Sequence, residues 1–473
     1  MKLLFLTPQL PYPPQQGTTI RNFNIIRNLA PRHDITLLSF GTPEELQNAE
    51  PLCALCRQIV IAPYPTRTMM QRAVSTLFSP LPDMALRLKS DEMHAQVAAI
   101  LRDNAFDVVQ VEGIEMARYV PIPKSDSRTS PKQRSRSNSR RRITLTFFRM
   151  LMLLRAGTLE PVYVENDDRA RYAPISPPAT RHSSLVFDDH NAEYVLQRTA
   201  FESDARRVTR WLAALYSLIQ WKKLERYERA ICQHADRIVA CSDADANAIS
   251  ALLKTQSAIR NLHSAITVVP NGVDIDHFIP STEVCAKPLA ELSMVFAGKM
   301  DFRPNIDAML WFCDEILPRI RAEIPLAHIV IVGQKPAPRI AALGARQGIE
   351  ATGWVSDTRP YIADAAVYVV PLRMGSGTRL KVLEALAMGK AIVSTARGVE
   401  GIDLAAGHDA VIADTPDAFA REAVALLRDA ERRRALGQAA RALAESKYDW
   451  REIVPKFEQV YANLAKVLEP SQG

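Results

Sequence analysis

Cysteine is scarce. Six in 473 residues are too few for a disulfide framework, which points to a reducing compartment. Cys53 and Cys56 form a CxxC, but no second pair follows at zinc-ligand spacing, so they read as small apolar residues. Long apolar runs are missing too. No stretch reaches the roughly 20 residues that a membrane-spanning helix needs. Leu3–Leu6 is too short, and the prolines behind it too close, for a secretory leader. Net charge is absent from most of the chain. The formal total is +7, yet 124–142 holds eight Lys/Arg against one Asp, so the remainder balances to zero. That excludes a broad nucleic-acid-binding face. No Gly-x-Gly-x-x-Gly follows the first apolar run, which argues against a nicotinamide dehydrogenase. No repeat of solenoid length is found either.

What is present is a succession of short β-branched runs separated by helical patterns. Lys2–Leu6, Ile35–Phe40, Ile59–Ile61, Val108–Val111, Leu185–Phe187, Arg237–Ala240 and Ile266–Val269 predict one parallel sheet. Met294–Phe296, Ile329–Val332, Ala366–Val370 and Ala391–Ser394 predict a second. The fold class is α/β, with two doubly wound Rossmann-like domains facing a cleft. The expected boundaries are 1–280 and 289–449, with 450–473 an amphipathic helix that packs back towards the first domain. A long helix is expected to bury Val208, Leu212, Leu215 and Ile219 on one face. The first domain is interrupted at 121–184. There 124–142 is Ser/Arg-rich and predicts disorder. With the short apolar run Ile143–Leu154 it could touch an anionic membrane surface. The alternative is a flexible insertion without that role.

The densest chemistry lies in Pro371–Gly389. A strand, a turn opened by Gly375 and Gly377, and a helix from near Thr378 would offer backbone N–H groups and dipole to a phosphate. Arg379 and Lys381 place two cations in that first turn. They oppose the helix dipole by roughly 0.3–1 kcal/mol each, which makes sense if an anion docks there. Gly17 sits where the first loop meets a helix, so its backbone could approach the same ligand. At the ends of other strands stand Glu112, a candidate for a sugar hydroxyl, and Asp188-Asp-His-Asn191. There His190 could accept a proton or a hydrogen bond as a neutral imidazole, while Asp188, Asp189 and Asn191 orient it or bind substrate. The pairs Asp243/Asp245 and Asp274/Asp276 read as a helix cap and a turn, not as metal ligands.

Four motifs carry a family resemblance over nearly the whole chain: Pro11–Arg21, Val269-Pro-Asn-Gly-Val-Asp274, Gly298-Lys-Met300 and Gly377–Gly389. Together the chain resembles the retaining glycosyltransferases of family 4, with the GT-B fold. Asp189–Glu193 resembles a branch associated with bacterial exopolysaccharide assembly. The resemblance implies a UDP- or GDP-linked sugar as co-substrate, a lipid-linked or polysaccharide acceptor, no metal and no other cofactor. It implies a cytoplasmic enzyme, peripheral on the inner membrane face. It places Gly298 and Lys299 at the donor phosphate and Glu384 on the donor ribose. Two positions depart from the family. Ser376 replaces a glutamate, leaving donor hydroxyls to backbone N–H groups. Pro304 replaces a lysine, so Arg303, Arg379 or Lys381 would supply that charge. A sugar-nucleotide 2-epimerase of the same fold and a non-catalytic sugar-nucleotide-binding protein are the alternatives.

Overall fold

The computed structural model describes residues 1–120, 183–205, 208–254, 266–280, 292–375 and 377–468. The basic run 124–142, the apolar run 143–154 and Ser376 lie outside them. The first sheet joins β1 (Lys2–Thr7), β2 (Asp34–Phe40), β3 (Gln58–Ala62), β4 (Val108–Glu112), β5 (Ser184–Asp189), β6 (Arg237–Ala240) and β7 (Ile266–Val268). Its order is 3-2-1-4-5-6-7, and every pairing is parallel. The second joins β8 (Ser293–Ala297), β9 (His328–Val332), β10 (Ile349–Gly353), β11 (Val367–Val370), β12 (Ile392–Ser394) and β13 (Val411–Ile412) in the order 10-9-8-11-12-13, again all parallel. Central strands covered by helices on both faces are mostly apolar, which is why they stand out as near-continuous runs. Strands β10 and β13 escape that signal. Both lie at sheet edges, β10 is mostly half-buried, and β13 is two residues long.

Each sheet reverses its strand order once, between β1 and β4 and between β8 and β11. Such points open a crevice at the carboxyl ends of the strands. The loops leaving β4 and β11 are those that carry Glu112-Gly113 and Pro371–Thr378.

The Trp450–Leu468 helix returns to the first sheet. Trp450, Ile453, Val454, Phe457, Val460, Tyr461 and Leu464 form a stripe at helical spacing, buried in one cluster with Leu3, Phe5, Ile25, Ile26 and Leu29. The expected long helix is instead two, Glu193–Ala205 and Trp211–His234. Its anticipated core face is wrong. Leu212 and Leu215 are 64 % and 44 % exposed, while Ala214, Ser217, Gln220, Leu224, Tyr227 and Ile231 are buried. A mixed, partly polar seam meets the neighbouring helices, so hydrophobic spacing pointed to the outer side.

Candidate functional site

The second sheet contributes a glycine turn and two cations. Gly375 and Gly377 have φ of 109° and 77°, a region that favours glycine. The helix that follows is Leu380–Ala387, with Arg379 at its N-cap, so it starts two residues later than expected. Arg379 is buried, and its guanidinium lies under the turn: a Cβ on Gly375 would come within 3.1 Å of it. Glu400 stands 3.9 Å away. Burial lowers the Arg379 pKa, Glu400 opposes that, and Arg397 adds to it.

Lys381 turns back towards β8. Its Nζ donates to Asn305 Oδ1 at 2.9 Å and lies 4.0 Å from the centroid of the Phe296 ring. It also lies 2.6 Å from where a Cβ of Gly298 would be, so only glycine fits there with the lysine in place. Burial pulls Lys381 down to about 7, against the pull of Glu384, and burial pushes Glu384 up to about 7. Phe296 and Asn305 carried no signal of their own in the sequence: one reads as strand core, the other as a helix residue. Lys299 and Arg303 face other partners. Lys299 is exposed and pairs with Asp301 at 3.8 Å, and Arg303 is exposed and faces Asp204 at 3.7 Å. The cation beside the Gly298 backbone is therefore Lys381.

The first sheet contributes a buried polar cluster. Arg21 binds both oxygens of Asp188, at 2.9 and 3.0 Å, and donates to the carbonyls of Val269 and Pro270. His190 Nε2 is 2.9 Å from Glu112 Oε2, and Gln110 Nε2 donates to Glu112 Oε1 at 2.6 Å. Burial pulls the imidazole down, but the Glu112 hydrogen bond and the charges of Asp188 and Glu112 outweigh it, so its pKa is raised. The imidazolium is thus favoured more at His190 than in a free histidine. Burial, then Asp188, raise Glu112. Arg21 was legible in principle: it falls four and eight residues before the core positions Ile25 and Leu29.

Two acceptor assignments are overturned. Glu112 and Asp189 are fully buried and cannot meet an acceptor. Asp189 lies beside Glu228, and burial followed by the Glu228 charge raises it far above the usual carboxylate range. Glu228 in turn accepts from the backbone N–H groups of Glu193 and Tyr194 and so caps the Glu193–Ala205 helix.

The two sets face each other. A Cβ on Gly377 would lie 2.2 Å from Asn191 Oδ1, so Asn191 seats directly on the glycine turn. A Cβ on Gly17, itself exposed, would lie 3.6 Å from Leu380 Cδ1. One on Gly401 would lie 3.6 Å from both Ser242 Cβ and Thr378 Oγ1. Arg379 and Lys381 therefore belong to a crevice between the sheets, not to open surface. The arrangement combines turn amides and two cations, with the residue that follows His190 seated on the turn.

Glu112, Asp188 and His190 bring one donor atom each within 4.8 Å of one another. They do not fit a metal ion. Arg21 takes both Asp188 oxygens, and Gln110 and His190 take those of Glu112. One carboxylate of each Asp-x-Asp pair is likewise engaged. Asp245 accepts from Ser242 and the Ala192 amide, and Asp274 accepts from the amides of Asp276 and His277. Among the described residues, no helix is long and apolar enough to cross a membrane.

Residues 291–429 match the family model for glycosyl transferases group 1. The phosphatidyl-myo-inositol mannosyltransferase of Mycobacterium tuberculosis is 28% identical over 220 residues, covering 43% of this chain. The chain spans 56% of that relative's length. Sucrose-phosphate synthase from Thermosynechococcus elongatus superposes with a TM-score of 0.62 at 15% identity, covering 99% of this chain and 100% of that one. The Anabaena protein HepE, solved in complex with UDP and glucose, superposes with a TM-score of 0.56 at 12% identity, covering 98% and 99%. Residues 291–429 are thus similar to a group 1 glycosyltransferase domain, set in a chain with the GT-B fold.

Proposed function

We propose that the chain is a retaining glycosyltransferase that moves a sugar from a UDP- or GDP-linked donor to a lipid-linked or saccharide acceptor. The observation that carries this is the placement of Arg379 under the Gly375 turn and of Lys381 against Gly298, in the crevice that Asn191 closes. As the bond from the anomeric carbon to the diphosphate breaks, negative charge grows on the leaving oxygen. Fixed cations and amide dipoles lower the cost of that charge, and losing one such group costs about 10²–10³ in rate. The amides of Gly377 and Thr378 with Lys381 and Arg379 do this work without a divalent ion. Glu384, one turn along, binds the ribose hydroxyls in this reading. The acceptor enters on the face that the diphosphate leaves, so configuration is retained. The lipid-linked acceptor is favoured by the mannosyltransferase relative, whose name carries a phosphatidyl-inositol. A lipid acceptor would place the chain peripherally on a membrane, with 124–154 as the segment that touches it.

The test is release of nucleoside diphosphate from a panel of UDP- and GDP-sugars, with and without polyprenyl-linked and phosphatidylinositol acceptors. Acceptor-dependent release with a product of retained anomeric configuration is expected. Conversion of donor to its 2-epimer without acceptor, or binding without turnover, would replace this reading.

A further inference from the structure

We propose that Glu112, with Gln110 and Tyr461 behind it, is a positioning residue: it grips His190 through Nε2 so that Nδ1 is left to donate a hydrogen bond to the donor sugar. The inference rests on the transferase reading for its ligand, but the geometry stands by itself.

Gln110 and Glu112 are alternate residues of β4, so their side chains share one face of the sheet. That strand is buried throughout, and polar groups there are costly unless bonded. Both are bonded, in sequence. The Tyr461 hydroxyl donates to Gln110 Oε1. This fixes the amide so that its NH₂ meets Glu112 Oε1, at 2.6 Å. Glu112 Oε2 then meets His190 Nε2. The chain of bonds thus runs from the returning C-terminal helix, through the sheet, to the crevice. The same helix places the Phe457 ring 5.4 Å from the Arg21 guanidinium.

Charge balance explains why the imidazole is the end point. Arg21 and Asp188 neutralise each other. Among the described residues, the cationic partner in contact with Glu112 is His190, and with Glu112 ionised the buried cluster is electrically neutral when both ring nitrogens carry protons. The ionisable groups acting on His190 are Glu112 on β4, Asp188 on β5, Arg21 on the Gly17–Leu29 helix and Glu193 on the helix that follows. Glu115 stands beside Gly113, against which Nδ1 lies, and is paired with Arg87. Tyr461 acts on Glu112 from the C-terminal helix. Asn191, the next residue, touches the Gly377 turn, so His190 stands one residue along the chain from that turn. A histidine bonded only for loop stability would not require the Gln110 and Tyr461 relay beneath it.

The experiment uses the full-length protein. It combines an NMR titration of its nine histidines, with His190 identified by His190→Asn, and turnover of the best nucleotide sugar as a function of pH. Glu112→Gln should lower the His190 midpoint by at least one pH unit. It should reduce kcat by roughly 10²-fold with donor KM within twofold, and bring the alkaline fall in kcat to lower pH. Tyr461→Phe, which removes one hydroxyl and no apolar contact, should move both readouts the same way by less, and it keeps the test open if Glu112→Gln fails to fold. An unmoved His190 midpoint in a folded variant overturns the grip. A moved midpoint with a wild-type pH–rate profile overturns the role in the reaction. If no nucleotide sugar is turned over by the wild type, the transferase reading fails, and the titration still decides the grip.

Discussion

Lys381 and Glu384 show how one pair of side chains can be tuned by burial and offset by a ligand. Lys381 titrates near 7 in the fold against 10.5 when unfolded. The unfolded chain therefore binds more protons between about pH 7 and 10.5, and this group's contribution to stability rises with pH in that window. Glu384 is raised from 4.5 to about 7, so its contribution is present below 4.5 and lost as pH climbs to 7. The unliganded fold should accordingly pay most for the pair near neutrality. Urea midpoints of wild type and of the Lys381→Met, Glu384→Gln double variant should differ most near pH 7 and by less towards pH 4.5 and 10, where only one of the two costs remains. A diphosphate lodged beside Lys381 restores its proton. Calorimetry at pH 7.5 in HEPES and in Tris should then show proton uptake on binding of the cognate nucleoside diphosphate, and Lys381→Met should abolish it. Arg379→Ala should reduce turnover by about 10²-fold with little change in melting temperature. Unchanged rates would remove Arg379 from the site.

At the scale of an element, the strand–turn–helix unit from Val367 to Ala387 holds the crevice together. Gly377 has a left-handed φ and no space for a Cβ, because Asn191 occupies it. Gly377→Ala should cut kcat/KM by one to two orders of magnitude through a displaced turn, while far-UV CD stays unchanged; a wild-type rate would show that the turn does not touch donor. The unit was readable from Val367-Tyr-Val-Val370 and its glycines, since apolar continuity and positive φ leave marks in residue type. The start of the helix was not. Arg379 departs from helical geometry to reach beneath Gly375, which local propensity does not encode.

At the scale of the molecule, the C-terminal helix is the clasp. It follows the second sheet in sequence and buries seven side chains against the first. Phe457→Ala should cost about 3–5 kcal/mol, read as a lowered urea midpoint. It should also disturb the Arg21 cluster it covers, so activity falls further than at equal destabilisation elsewhere. The basic run 124–142 belongs to this scale through its charge alone. Removing its net +7 should weaken co-sedimentation with vesicles containing anionic lipid, steeply so at low salt. Equal sedimentation with and without the run would end the membrane proposal.

Residue order alone determined the central strands of the two parallel sheets, because strands buried on both faces are mostly apolar, and it marked the Gly375–Lys381 turn, because left-handed backbone favours glycine. It could not decide which charged groups meet. Arg21 and Asp188 are 167 residues apart, Gln110 and Tyr461 351. Those pairings exist only because the sheet order brings β1, β4 and β5 side by side and the last helix folds back over them. The same packing turned Glu112 and Asp189 from apparent surface ligands into buried supports. Burial is a property of what the rest of the chain places on top of a residue, and no local pattern carries it.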